Sequence, residues 1–181
     1  MSRLPLTTAD TAPAASRPLL ASIHAAFGAT PAMFRAVAHS PAALTSLWGS
    51  FGALGAGTLP ASLTEQIAVA VADRNGCDYC LAAHTALGRK AGVSADAMAR
   101  AQSGDSDDPR TAAALAFALK LVDRRGRVAE QDIAALRAAG YDDGAVVEIV
   151  AHVALNLFTN YVNLALDVPV DFPAVKLRNA A

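Results

Sequence analysis

The chain has only two cysteines among its 181 residues, Cys77 and Cys80. That excludes a framework of several disulfides, and it leaves one ligand pair where structural zinc sites usually need two. An excess of either charge is also missing: the formal net charge is -1, and the basic residues are scattered. Without a basic face, neither nucleic acid nor an anionic membrane surface is an expected partner. There is no glycine-rich phosphate loop, and no haem, flavin, nicotinamide or metal site is expected. No stretch shows strand alternation. The longest apolar run, Ala145 to Leu166, is broken by Glu148, His152, Asn156, Asn160 and Asn163, each expensive in lipid, so it is not expected to span a membrane. Residues 1–17 carry Arg3 and Asp10 but no apolar signal-peptide core. Two cysteines at close spacing, without an export signal, point to the cytoplasm and to a disulfide that cycles.

What is present is a helical chain rich in apolar residues. Composition is 54% hydrophobic with a mean hydropathy of +0.32, high for a monomer of this length, so a homo-oligomer is expected. The length suits one domain. Residues 1–17 are read as an extended arm and 18–181 as a single helical domain. Glycine and proline punctuate the helices. One runs from Leu19 to Phe27 and stops at Gly28; another follows Pro31; a third starts at Pro41 and reaches about Gly57. Ser62-Leu63-Thr64-Glu65 has the form of a capping box leading a helix to Asn75-Gly76. Further helices are expected from Cys77 or Asp78 to near Gly92, Ser94 to Gly104, Asp108-Pro109 to Gly126 and Glu130 to Ala139. The longest runs from Asp142 or Asp143 to Asp167, and residues 168–181 form an extended tail. Gly49, Gly52 and Gly55 make a stripe expected to admit another backbone closely. The fold class is all-α.

Cys77-Asp78-Tyr79-Cys80 with His84 one turn later is the chemically informative segment. Two thiols so spaced can close a disulfide, and His84 can take a proton from Cys80. Glu65 lies 11 residues before the bend at Gly76 and His84 lies 8 after it (positions from the sequence). At a rise of about 1.5 Å per residue, an antiparallel hairpin sets them within a turn of each other. The helix start favours a thiolate at Cys77, while the histidine favours one at Cys80. Spacing alone leaves open which attacks first.

Glu65, Cys77, Cys80 and His84 together reproduce a Glu-x11-Cys-x2-Cys-x3-His pattern. In this the chain resembles the alkyl hydroperoxidase D branch of the carboxymuconolactone decarboxylase-like family. Gly28-Ala29-Thr30-Pro31-Ala32-Met33-Phe34-Arg35 and His39-Ser40-Pro41 resemble that family's entry to its helical core. Asn156-Leu157-Phe158-Thr159-Asn160-Tyr161-Val162-Asn163 and Val170-Asp171-Phe172-Pro173 are similar to a subgroup labelled peroxidase-related. The resemblance implies an all-helical thiol peroxidase acting on hydrogen peroxide or alkyl hydroperoxides, assembled as a trimer or hexamer. It implies Cys80 as the peroxidatic thiol, Cys77 as the resolving thiol, and His84 with Glu65 as the proton relay. It also implies an external dithiol donor, either a lipoyl group or a thioredoxin-like protein, in place of a bound cofactor. One position departs: the best-known members have a second histidine just before the second cysteine, where this chain has Tyr79. A phenol with a pKa near ~10 is no base at neutral pH, although it can donate a hydrogen bond or pack.

Other readings attach to the same residues. The cysteines could be inert buried thiols, or zinc ligands together with His84 and Glu65. The pair could serve a redox sensor or disulfide carrier without peroxide turnover, or the chain could be a non-redox lactone decarboxylase. Glu65 could bond back to Ser62 as a cap. Glu148, His152, Asn156 and Asn160 repeat every four residues. They either wall the substrate pocket, as surroundings of the site with Tyr79, or form a polar seam facing a neighbouring subunit or water, and the seam is the preferred expectation. Trp48, Phe51 and Phe34 are assigned to the core.

Overall fold

The computed structural model describes residues 2–178, and all its regular structure is helical. The helices are α1 (Arg17–Phe27), α2 (Ala32–Val37), α3 (Pro41–Gly55), α4 (Ala61–Arg74), α5 (Asp78–Lys90), α6 (Ala95–Ala101), α7 (Pro109–Asp123), α8 (Glu130–Ala138) and α9 (Asp143–Leu166). Their starts follow capping chemistry. The side chains of Ser40, Ser94, Asp108 and Asp142 accept backbone N–H groups of the first turns of α3, α6, α7 and α9. Proline opens α3 and α7, where its missing N–H costs nothing. Residues 2–13 run along the body without helix, tied by Arg3 N–H to the Leu166 carbonyl and Thr7 N–H to that of Arg35. A short 3-10 turn, Ala14–Ser16, then leads into α1.

The fold is organised around α4. Residues 66–73 are buried on every side, including Ile67, Val69 and Val71 at 0% exposure. A helix apolar all round must be enclosed, and α4 is enclosed by α5, α7 and α9. Burying each such branched side chain stabilises the fold by about 1.5–3 kcal/mol. α4 ends at Gly76, whose φ of 69° is accessible to glycine. There the N–H of Cys77 bonds back to the Ala72 carbonyl at 2.9 Å, closing a Schellman-type turn. Cys77 is at once the N-cap of α5, so one residue ends one helix and begins the next.

Two local expectations fail. The capping box at Ser62 does not form, because the extended backbone of Pro60 starts α4 two residues earlier and Ser62 is already helical. Among the described residues of the chain, the glycine stripe of α3 meets no backbone: a Cβ at Gly49, Gly52 or Gly55 would find nothing within 4 Å. The period of 3.6 explains it, since Leu44, Leu47, Trp48, Phe51 and Leu54 turn α3 inward and leave Gly49 and Gly52 outside.

Of the helices described, α9 has the length and apolarity to cross a membrane. One side of it carries His152, Asn156, Thr159, Asn160 and Asn163, all buried in the protein. The other side exposes Val147, Val150, Phe158, Tyr161 and Leu164.

Close approach matters at Gly88 of α5, where an added Cβ would lie 2.5 Å from the Met98 methyl and 3.3 Å from the Glu65 Cβ. Gly88→Val is therefore expected to pry α5 from α4 at the Glu65 turn. Urea unfolding should show a loss of about 1–3 kcal/mol, whereas Gly88→Ala should cost less because the Met98 side chain can yield.

Candidate active site

The α4–α5 hairpin brings Glu65 and His84 together, with Glu65 Oε2 2.7 Å from His84 Nδ1. Their side chains are only 19% and 12% exposed, so the pair is shielded from water and from salt. Burial disfavours a charged imidazole, but the Glu65 carboxylate outweighs it and raises the His84 pKa. Glu65 thus spends its carboxylate on His84 and not on a cap.

The thiols sit at the start of α5, both buried and both free. Cys77 lies outside the helical turns as the N-cap, and its sulfur accepts the Cys80 N–H at 3.4 Å. Cys80 falls one turn further in, beside His84. Burial works against a Cys80 thiolate. It is overcome by a hydrogen bond from Cys77, the positive charge of His84 and the amide of Asn163, which bring the pKa down to about 6. For Cys77 the direction is opposite: its bond to Cys80 and its burial keep it protonated. The structure therefore separates the two thiols that spacing left equal. Cys80 carries the charge and Cys77 holds the proton.

α9 adds to that stabilisation. Asn163 Nδ2 donates to the Cys80 sulfur at 3.2 Å, and Thr159 Oγ1 lies 3.9 Å from it. Asn160 accepts from Asn75 Nδ2 at 2.8 Å through its carbonyl, leaving its own amide nitrogen without a protein partner. Asn156 donates to the His152 carbonyl, one turn back along α9. The polar stripe of α9 faces the protein interior beside the thiols, so the preferred seam reading does not hold for His152, Asn156 and Asn160. Glu148, at the outer end, instead accepts the N–H groups of Thr58 and Leu59. Asn163 and Thr159 were not singled out as site residues. The signal was there: each follows a stripe member, Asn160 or Asn156, by three positions, one more step on the same helix face.

Tyr79 is buried, and burial pushes its phenol pKa up. Its oxygen accepts the Met33 N–H at 3.2 Å, and its ring meets Phe172 edge-on at 5.7 Å between centroids. It binds the tail and the start of α2 together and has no role as a base. Asp171 of the tail accepts the Ala32 N–H at 2.7 Å, at the opening of α2.

Above Cys80 is a cavity of ≈ 230 Å³. Phe27, Met33, Phe34, Phe51 and Phe172 line it together with Cys80, Glu65 and His84. Phe34 and Phe51 thus serve both the core and the cavity wall, while Trp48 packs edge-on against Phe34. Larger hollows of ≈ 630 and ≈ 360 Å³ lie elsewhere, but neither is lined by a thiol. Among the described residues, no three His, Cys, Asp or Glu side chains converge as a metal site would require.

An all-helical domain with a buried dithiol at a helix start, backed by a Glu–His pair, defines a class that the comparisons specify. Residues 41–123 match the model of the carboxymuconolactone decarboxylase family. A peroxidase-related protein from Ralstonia eutropha JMP134, described as an alkylhydroperoxidase AhpD core, is 27% identical, with a TM-score of 0.83 over 94% of this chain and 92% of that one. A peroxidase-related protein from Silicibacter sp. TM1040 is 25% identical, with a TM-score of 0.81 over 93% and 91%. The debrominase Bmp8, solved free and with 2,3,4-tribromopyrrole, shares the fold at 23% identity and a TM-score of 0.78 over 92% and 90%. No curated protein matches the sequence. The chain is thus similar to the alkyl hydroperoxidase D and carboxymuconolactone decarboxylase-like family, in sequence over residues 41–123 and in fold over nearly its whole length.

The charge on Cys80 can be read directly from thiolate absorbance near 240 nm. In the wild type it should rise with pH through about 6 and be complete by neutrality. Asn163→Ala removes one charge-assisted hydrogen bond and should move that midpoint up by about 1 unit; an unmoved midpoint would show that α9 does not stabilise the thiolate.

Proposed function

We propose that the protein is a thiol peroxidase that reduces organic hydroperoxides through a Cys77–Cys80 disulfide. The observation that carries this reading is the asymmetry of the two thiols. One sulfur is charged at neutral pH and opens onto a cavity, and a protonated one waits beside it. In the first step the Cys80 thiolate attacks the terminal oxygen of the hydroperoxide. The O–O bond breaks, giving Cys80 sulfenic acid and an alkoxide, which takes a proton from His84. Cys77 sulfur then attacks the sulfenic sulfur and its proton leaves with the hydroxyl as water, forming the disulfide. A dithiol donor supplies two electrons to the disulfide and gives up two protons, so that Cys77 is protonated again and one further proton is available to restore His84.

The cavity supports the choice of substrate. Its wall is aromatic and thioether, so it gains from covering an alkyl or aryl group at about 0.8 kcal/mol per buried CH2 and gains nothing from hydrogen peroxide. The donor is inferred to be an external dithiol, a lipoyl group or a thioredoxin-like protein, and no bound cofactor takes part. A homo-oligomer, a trimer or hexamer by family resemblance, is supported by the apolar outer face of α9. A cytoplasmic setting suits a disulfide that must be re-reduced. The fold alone does not choose the reaction, since a debrominase shares it; the dithiol, with Cys80 on the cavity wall, favours a redox step over lactone decarboxylation.

Peroxide consumption with dithiothreitol tests the reading. Cumene hydroperoxide should be turned over with a KM at least about ten-fold below that for hydrogen peroxide. Cys80→Ser should abolish turnover. Equal turnover by Cys80→Ser, or preference for hydrogen peroxide, would contradict the reaction or the substrate respectively.

A further inference from the structure

A second cavity of ≈ 200 Å³ lies against the Glu65–His84 pair. It shares only Phe51, Glu65 and His84 with the substrate cavity; the rest of its wall comes from the end of α3, the start of α4 and the middle of α9. Into this wall is set His152, 9% exposed, whose Nε2 is buried with no protein partner. A buried ring nitrogen without a partner costs free energy unless water satisfies it. The space here is several times the roughly 30 Å³ a water occupies. Thr64, Glu65 and Asn156 supply the further polar groups such waters need. One turn toward the start of α9, the partly exposed Glu148 holds the 58–59 backbone, and Leu59 of that loop belongs to the cavity wall.

We propose that His152 and the waters of this second cavity form the proton-return route to the Glu65–His84 pair, entering from outside the substrate cavity. The proposal rests on the reading of Cys80 as a redox thiol. In each cycle His84 gives one proton to the leaving alkoxide and must regain one. If that proton came only through the substrate cavity, the bound donor and product would control it. The second cavity lets it exchange with bulk solvent while the first is occupied. The groups facing His152 are Glu148 on its own helix, Glu65 on α4 and His84 on α5; α3 contributes none that titrates. Burial lowers the His152 pKa, leaving a neutral imidazole able to accept a proton on one nitrogen and pass one from the other. His152 acts through the pair and touches neither thiol nor substrate.

The test uses the full chain, with the disulfide formed by diamide and its reduction by dithiothreitol followed in rapid mixing, alongside steady-state cumene hydroperoxide turnover. His152→Gln should slow both by about ten-fold or more. Added imidazole should restore them, and the Cys80 thiolate titration should stay where it is in the wild type. Unchanged rates would overturn the proposal. So would a loss that imidazole does not rescue and that moves the Cys80 titration, since that marks a structural role. Ala68→Leu fills the cavity from α4 while keeping His152. It should slow the same steps without rescue by imidazole, and it decides the matter should His152→Gln not fold; full rates in this variant would overturn the route. A wild type without peroxide turnover, but with disulfide reduction still dependent on His152 and rescued by imidazole, would sink the peroxidase reading and leave the proton route standing.

Discussion

The 2.7 Å contact between Glu65 Oε2 and His84 Nδ1 is the constraint on which the site depends. It ties α4 to α5 across the Gly76 turn and holds a positive charge in a place that burial would otherwise neutralise. That charge is one of the forces that keep Cys80 ionised. Without Glu65, the imidazole would lose its proton to desolvation, and the thiol would lose the electrostatic partner that lets it react at neutral pH. A carboxylate, an imidazole and a sulfur thus form a chain in which each group fixes the charge of the next.

A buried thiolate also needs donors, and the way they are supplied explains the unusual composition of α9. Asn163 interrupts an otherwise apolar helix at a position that faces the sulfur and donates its amide to it, while Thr159 beside it gives its own hydroxyl proton to the Asn156 carbonyl. Neutral donors stabilise the anion without adding a second charge that would itself need solvation. The same helix extends outward through His152 to Glu148 at the loop around Thr58, so one polar edge runs from the thiol to the protein surface. Its opposite face, with Val147, Phe158 and Tyr161, is left apolar and exposed. α9 therefore joins the chemistry of the site to the surface on which copies of the chain are proposed to meet.

Much of this was legible in the sequence. Gly28, Gly76, Gly92, Pro41 and Pro109 marked helix ends to within a few residues, because positive φ and a missing N–H are local demands that little else satisfies. The pairing of Glu65 with His84 followed from helix rise and an antiparallel turn. What could not be read was what covers each face. The Ser62 pattern looked like a cap, yet Pro60 began the helix earlier. The glycines of α3 fell on one side, but periodicity does not say whether that side meets a backbone or water. The α9 stripe had a clear period and no stated direction. The substrate cavity was illegible for a further reason: Phe27, Met33, Phe51 and Phe172 come from four separate segments and meet only through tertiary packing.

The central claim is that Cys80 is the sulfur that attacks peroxide and Cys77 the one that resolves it. Mass spectrometry of the Cys77→Ser protein, after one equivalent of cumene hydroperoxide and a dimedone trap, tests that order most directly. The account predicts a dimedone adduct on Cys80, with wild type instead losing both thiols to a disulfide. An unmodified Cys80 in that variant, together with a sulfenic acid trapped on Cys77 in Cys80→Ser, would contradict it.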